Sequence, residues 1–276
     1  MEIKQEIITS RNNPIVKWAA SLSDKKGRAL SQAFITEGEK LLREAMDTGL
    51  PISHIFIAES KKDGIINKIH AHSKHKMYDN TQVYILADCV FEKISTEKAP
   101  QGVICAIKYL DFFHNADIIY KEEFFLKKDE RALFLHSVRD PGNLGAVIRS
   151  AVAFGVDHII LSADSVDPYN PKVVRSAMGS LFKIHITIAD DVSFLINLVK
   201  KNNRRVFAAE LSQTAKSISE VNLNSNDIVI IGNEGHGIPA DVSSQCNGSI
   251  FIPISGKTES LNASVAAAIF MWEQSK

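Results

Sequence analysis

The chain has 276 residues, 45% hydrophobic and 23% charged, with 32 basic against 32 acidic side chains and three cysteines. This is ordinary globular composition, sufficient for one large or two ordinary domains, and no apolar run reaches the roughly eighteen residues that would span a bilayer. The odd, scattered Cys89, Cys105 and Cys246 suit neither a disulfide framework nor a zinc site, and the N-terminus lacks the apolar core of a signal peptide, so a cytoplasmic location is expected.

Charge is unevenly spread: residues 1–108 carry 16 Lys and Arg against 13 Asp and Glu, the remainder 16 against 19. A mildly basic front part fits an RNA-facing domain. Residues 3–33 read as an opening strand and two helices, with Asn13-Pro14 supplying a cap and a proline suited to a helix start. Arg11 and the cluster Lys25, Lys26 and Arg28 are candidate phosphate contacts, with a solvated helix face as the alternative. Strands are expected at 34–38, 54–58, 82–86 and 102–107, and helices at 39–48, 61–75 and 88–94. Alternation of this kind makes a small α/β domain. His70, His72 and His75 lie close in sequence, but no carboxylate or cysteine completes a metal set, and no metal is expected. Residues 109–130, with Phe112, Phe113, Phe124 and Phe125 among charges, break the alternation and read as a linker.

From residue 131 the alternation resumes. Strands are expected near 132–137, 158–162, 184–188, 205–209, 228–232 and 250–254, with helices near 144–154, 171–180, 192–202, 239–245 and 262–274. This is an α/β pattern with a mostly parallel sheet and helices on both faces. The runs IVIIG and IFIPI are short, β-branched and closed by Gly or Pro, as buried strands are. Each leads into a small-residue loop, Gly232 to Pro239 and Gly256 to Ser264, and such strand ends build ligand sites in open α/β sheets. The loops fit neither the G-x-G-x-x-G dinucleotide spacing nor a P-loop. Asn143 is placed to cap a helix. Arg149, inside AVIRSAVAF, needs an anion or a carboxylate such as Glu234.

The segments SVRDPGNLGAVIRSAVAFGVDHIILS, GNEGHGIP and IPISGKTESLNASVAAAI resemble, in order and spacing, the three motifs of the SpoU/TrmH family. FITEGEKLLREA resembles the start of the substrate-binding domain that precedes the catalytic domain in many members. The resemblance implies an RNA ribose 2'-O-methyltransferase that uses S-adenosylmethionine and acts on ribosomal more than transfer RNA. It implies a ribosomal-protein-like α/β domain over 1–108, a linker over 109–130, and a methyltransferase domain over 131–276 with a deep trefoil knot, usually homodimeric.

Carried over by position, the resemblance implies that Asn143, Arg149, Glu234, Ser260 and Asn262 form the catalytic centre. It gives Leu211, Gly232, Ile252 and Leu261 to the cofactor, and makes Lys172 and Arg175 candidate RNA contacts. A guanidinium hardly deprotonates, so Arg149 is better read as stabilising a developing alkoxide than as a base. Methyl transfer from a sulfonium asks mainly for in-line positioning.

Overall fold

A computed structural model describes residues 1–72, 80–110, 113–114, 126 and 130–276. His75 and most of the expected linker, including Phe112, Phe124 and Phe125, lie outside the described residues. The chain forms two compact units, Met1–Leu110 with Asp167–Phe182, and Asp111–Val166 with Lys183–Lys276.

The first unit is built on strands β1 (Glu2–Ile8), β2 (Ala33–Glu37), β3 (Ile52–Ala58), β4 (Gln82–Leu86) and β5 (Val103–Lys108), in the order β1-β4-β3-β5-β2. β4 runs parallel to β1 and β3, while β5 is antiparallel to β3 and β2. Helix α1 (Pro14–Ser21) starts as its sequence dictates. Asn13 caps it by accepting from the Ile15 N–H at 3.0 Å, and Pro14 needs no partner in the first turn. α1 and α5 (Asp88–Ile94) place Val16, Ala19, Val90, Phe91 and Ile94 in one core with Phe56 and Ile104. The short α2 (Lys25–Ser31) follows α1, and α3 (Glu39–Asp47) and α4 (Lys62–His72) complete the unit.

Residues 167–182 pack in this first unit, although their sequence position suggested the C-terminal domain. The anchor is Arg28. It is 2% exposed, pairs with Asp167 at 2.5 Å through Nη2 with Nε on the same carboxylate oxygen, and gives Nη1 to the carbonyls of Leu22 and Ser23. Tyr169 stacks on Tyr109 at 4.2 Å and accepts the Leu110 N–H at 2.7 Å. Arg28 is therefore not a phosphate contact: its guanidinium is buried and already paired with a carboxylate inside the first unit. Removing one partner of a buried pair leaves an uncompensated charge. We expect Arg28→Ala to cost about 3–5 kcal/mol in urea unfolding, with Arg28→Met less damaging; an alanine variant within 1 kcal/mol, about the worth of a surface pair, would refute the assignment.

The second unit holds a sheet of eight strands in the order β11-β13-β10-β12-β7-β8-β9-β6. These are β6 (Phe113–His114), β7 (Ala132–Leu135), β8 (His158–Ser162), β9 (His185–Ala189), β10 (Val206–Ala209), β11 (Lys216–Ser217), β12 (Ile228–Ile231) and β13 (Gly248–Phe251). Every strand pair recorded in it is parallel. The central strands are buried along their whole length, which explains why their sequences read as continuous apolar runs. Helix α6 (Pro141–Ala153) packs against α10 (Ala263–Gln274), while α7 (Pro171–Ser176) belongs to the first unit. α7 is shorter than expected because Met178 and Gly179 take positive φ, 51° and 86°, and end the helical path. α8 (Val192–Lys201) and α9 (Ala240–Ser243) complete the second unit.

Candidate active site

Because β13, β10, β12 and β7 are adjacent and parallel, the loops that follow them emerge on one edge of the sheet. That carboxyl edge is where an open α/β sheet binds ligands. The loop after β7 leads into α6. Asp140, not Asn143, caps the helix by accepting the Asn143 N–H at 2.8 Å, with Pro141 in the first turn. The cap expected at Asn143 is thus supplied three residues earlier, and the Asn143 side chain is released for other work.

That side chain is held at both ends. Its NH2 donates to Glu234 Oε1 at 2.7 Å, and its carbonyl oxygen accepts from Asn262 Nδ2 at 2.9 Å. Asn262 also caps α10, its Oδ1 accepting from Ser264 N at 2.9 Å and Ser264 Oγ at 2.6 Å. A chain of side chains, Asn262–Asn143–Glu234, therefore joins residues from three distant segments. Glu234 sits in a turn closed by the backbone bridge between Asn233 and Gly237. Glu234 pairs with Asn143 rather than with Arg149, which is exposed on α6 and makes no ion pair among the described residues.

Two residues not singled out in the sequence fix these loops. Ser137 takes φ 54°, donates its N–H to Ser162 and its hydroxyl to Asp164, and accepts from Asn233 Nδ2 at 2.8 Å. That last bond ties the loop carrying Asn143 to the loop carrying Glu234. Burial alone would raise the Asp164 carboxyl, but hydrogen bonds from Ser137 and Ser162, with His136 nearby, hold it below its usual value. A serine in the left-handed region has no sequence signature, whereas Asn233 stood beside Glu234 in the glycine-rich loop.

Beside the Asn143 cluster lies a cleft of about 490 Å³, within the range of small-molecule sites. Leu211, Gly232, Ile252, Leu261, Glu234 and Ser260 line it, so the residues singled out for the cofactor share one wall system. Leu211 is 68% exposed and forms part of its rim. Ile231, Ile238, Ile254 and Phe270 add apolar wall, and Glu210 and Glu259 add two carboxylates that sequence reasoning passed over. Glu210 follows β10 directly, so the strand-end rule applied to RVFAAE would have found it. Apolar walls suit an adenine, and three carboxylates suit a ligand carrying sulfonium and ammonium charges. The donor set fits S-adenosylmethionine.

Of the basic candidates, Lys25, Lys26 and Lys172 are exposed, Arg11 is exposed with its Nε on the Cys89 carbonyl, and Arg175 pairs with Glu97. No cluster of three potential metal ligands occurs among the described residues, and no helix in them is long and apolar enough to cross a membrane.

The sequence profile of the SpoU rRNA Methylase family matches residues 130–272, about half of the chain. The chain belongs to the SpoU rRNA methylase family. A second profile, the MRM3-like substrate binding domain, matches residues 13–105. The chain is 28% identical to the 23S rRNA (guanosine(2553)-2'-O)-methyltransferase RlmP of Bacillus subtilis, covering 97% of this chain and 98% of that one. Among solved structures, the AdoMet-bound rRNA methyltransferase of Sinorhizobium meliloti superposes with a TM-score of 0.81 at 28% identity, covering 99% of this chain and 97% of that one. A putative TrmH family tRNA/rRNA methyltransferase of Staphylococcus aureus is 29% identical, over 86% of this chain and 93% of its own.

Proposed function

We propose that this SpoU-family protein transfers the methyl group of S-adenosylmethionine to a ribose 2'-hydroxyl of ribosomal RNA. The observation that carries the reading is the Asn262–Asn143–Glu234 chain standing beside a cleft at the carboxyl edge of four parallel strands. Bound S-adenosylmethionine supplies an electrophilic methyl on a positively charged sulfur. Leu211, Ile252 and Leu261 hold its apolar parts, and Gly232 brings backbone close to it. Glu234 and Asn262 lock the Asn143 amide in one orientation, so that the α6 N-terminus keeps its place beside the cleft. Ser260 stands on the cleft wall with Leu261.

Arg149 stabilises the alkoxide that develops on the attacking ribose oxygen. Six residues of α-helix turn a side chain by about 240° and lift it by about 9 Å, so Arg149 leaves α6 on a different face from Asn143. This supports a homodimer in which Arg149 serves the partner's cleft. The exposed face of α10 supports it too. Val265 and Trp272 are 47% and 49% exposed, and a seven-residue spacing puts them on one side of the helix. We expect the double variant Val265→Glu/Trp272→Glu to sediment as a monomer and to lose methyl transfer while keeping cofactor binding. A wild-type monomer with full activity would refute the shared site.

The rest of the reading follows the family. The C-terminal chain is threaded as a trefoil knot with α10 as its last element. Residues 1–108 recognise RNA, joined by Lys172 and Arg175 of the 167–182 stretch that packs with them: Lys25, Lys26, Lys172 and Arg11 lie near phosphates and Arg175 exchanges Glu97 for one. Residues 109–130, which include β6 of the second sheet, lead from residues 1–108 to the methyltransferase domain at 131–276, from which 167–182 pack back in the first unit, and the protein works in the cytoplasm. The matched substrate-binding profile supports the assignment of the first unit.

The test is methyl-labelled S-adenosylmethionine with unmodified ribosomal RNA and, separately, transfer RNA, followed by nucleoside analysis. A 2'-O-methylated nucleoside from ribosomal RNA is expected. Label in transfer RNA alone would reassign the substrate, and label on a base would overturn the ribose assignment. Cofactor binding without transfer to either RNA, or to ribosomal particles, would leave an RNA-binding protein.

A further inference from the structure

The first unit carries a layer of aromatic rings at the border of its core: Phe56 is a core member, and Trp18 and Tyr84 pack against that core while staying partly exposed. β3 and β4 pair in the register His54↔Gln82 and Phe56↔Tyr84, and alternate residues share a sheet face, so His54, Phe56 and Tyr84 lie on one side. Their rings form a near-parallel layer: His54 and Phe56 are 6.2 Å apart at 12°, His54 and Tyr84 6.1 Å at 22°, Phe56 and Tyr84 5.7 Å at 17°. Trp18 of α1 tilts over His54 at 4.6 Å. Phe56 is fully buried, whereas Trp18, His54 and Tyr84 are only partly so. Elsewhere this face is packed mainly with aliphatic residues such as Val16, Ile35, Leu86 and Val90.

Tyr84 also walls a groove of about 450 Å³ whose other sides are polar: Lys4, Glu6, Thr9, Ser10 and Asn13, with Ile7 and Ile8. Asn13 spends its side-chain oxygen on the α1 cap, which leaves its NH2 as a donor. Arg11 lies in the same turn, between Ser10 and Asn13, with its Nε on the Cys89 carbonyl, so the groove wall holds Lys4 and the single acid Glu6 with Arg11 close by in sequence.

We propose that Trp18, His54 and Tyr84, with the groove beside Tyr84, form a stacking subsite for an unpaired base of the substrate RNA. Sequence-specific RNA recognition works on unpaired bases stacked on aromatic rings and read along their edges. Here the rings supply the stack, Asn13 and Ser10 read an edge, Lys4 and Arg11 lie by the phosphate, and Glu6 accepts from a 2'-hydroxyl or an exocyclic amine. Burial holds the His54 imidazole below its ordinary pKa, so near pH 7 it offers an uncharged ring. The subsite deepens the RNA methyltransferase reading and rests on it for the identity of the ligand.

The test uses the full chain and an eight-nucleotide single-stranded oligoribonucleotide, followed by intrinsic fluorescence. Binding is expected to quench Trp18, and Trp18→Phe, which keeps a ring, is expected to bind without that quench. A base–aromatic stack is worth about 1–3 kcal/mol on alanine substitution, so Tyr84→Ala should weaken binding about 5- to 150-fold. Tyr84→Phe should restore most of it. Tyr84→Leu, which keeps apolar bulk without a π face, should not, at an unchanged melting temperature. With ribosomal RNA as substrate, Tyr84→Leu should raise KM and leave kcat and cofactor affinity unaltered. No quench, an equal quench by duplex RNA, or a Tyr84→Leu variant that binds like the wild type would overturn the subsite. Quenching by a wild-type protein that methylates no RNA would instead sink the catalytic reading and leave the subsite standing.

Discussion

Arg149→Ala is expected to lower the rate of methyl transfer at saturating substrates by about 10²-fold or more, the scale of losing one preorganised electrostatic donor at a developing oxyanion. Cofactor affinity should change little, because Arg149 is not among the residues that line its own chain's cleft and, in the partner's, is assigned to the ribose oxygen and not to the cofactor. Folding should change little as well, since the side chain is exposed and has no ion pair among the described residues to lose. A split of this kind, turnover lost with binding and stability kept, separates a catalytic guanidinium from a structural one. Arg149→Lys should recover only part of the rate. A lysine keeps the charge but not the planar fork that can hold a ribose oxygen and a neighbouring phosphate together. The check is single-turnover transfer with ribosomal RNA, alongside calorimetric cofactor titration of each variant. A fall in cofactor affinity that matches the fall in rate would place Arg149 in the binding site and remove it from the chemistry.

Gly232→Ala should be the most damaging small substitution in the second unit. A Cβ there would stand 2.4 Å from the Gly237 carbonyl carbon, 2.5 Å from its oxygen and 2.8 Å from Ile238 Cγ1. Two of those atoms are backbone, in the stretch closed by the Asn233–Gly237 bridge, and cannot swing aside. Overpacking of this sort costs about 1–3 kcal/mol or more. The strain falls on the loop that carries Glu234 and forms one wall of the cleft. We expect a melting temperature lower by several degrees and S-adenosylmethionine affinity lower by at least about tenfold, or 1.4 kcal/mol. Gly235→Ala is the control. Its Cβ would come no closer than 3.6 Å to Asn233 Oδ1, an ordinary contact, and it should behave like the wild type. Equal behaviour of the two variants would mean that close backbone approach is not what Gly232 provides.

The alternation of apolar runs and amphipathic stretches was legible to within a residue or two at most elements. β8, β4 and α5 fall on the expected bounds, and α8 and α10 within a residue of them. β13 was misplaced. It spans Gly248–Phe251 rather than 250–254, because Pro253 has no N–H for a ladder and the Ile252–Ile254 segment turns to line the cleft instead. Cys89 is exposed, whereas Cys105 is fully buried and its thiol pushed far up by burial, a difference their scattered sequence positions did not reveal. At the site, residue types were legible and partners were not. Asn143, Glu234 and Asn262 could be named from their motifs. Which of them bond could not, because they come from segments separated by 91 and 119 positions.

By itself the sequence determined what local chemistry determines: the helix starts at Asn13-Pro14 and Asn262, the buried strands of the second unit, and the two small-residue loops at strand ends. Each rests on periodicity, on a cap or on a missing N–H, all properties of neighbouring residues. The tertiary structure alone decided that the Asn143 amide is held by Asn262, and that Glu234 answers Asn143 instead of Arg149. It also decided that Ser137 is held left-handed between two loops, and that Arg28 is consumed by Asp167, 139 positions away. The reason is common to all four. A buried or constrained polar group must find its partners in space, and nothing in its neighbours along the chain says which distant segment will supply them.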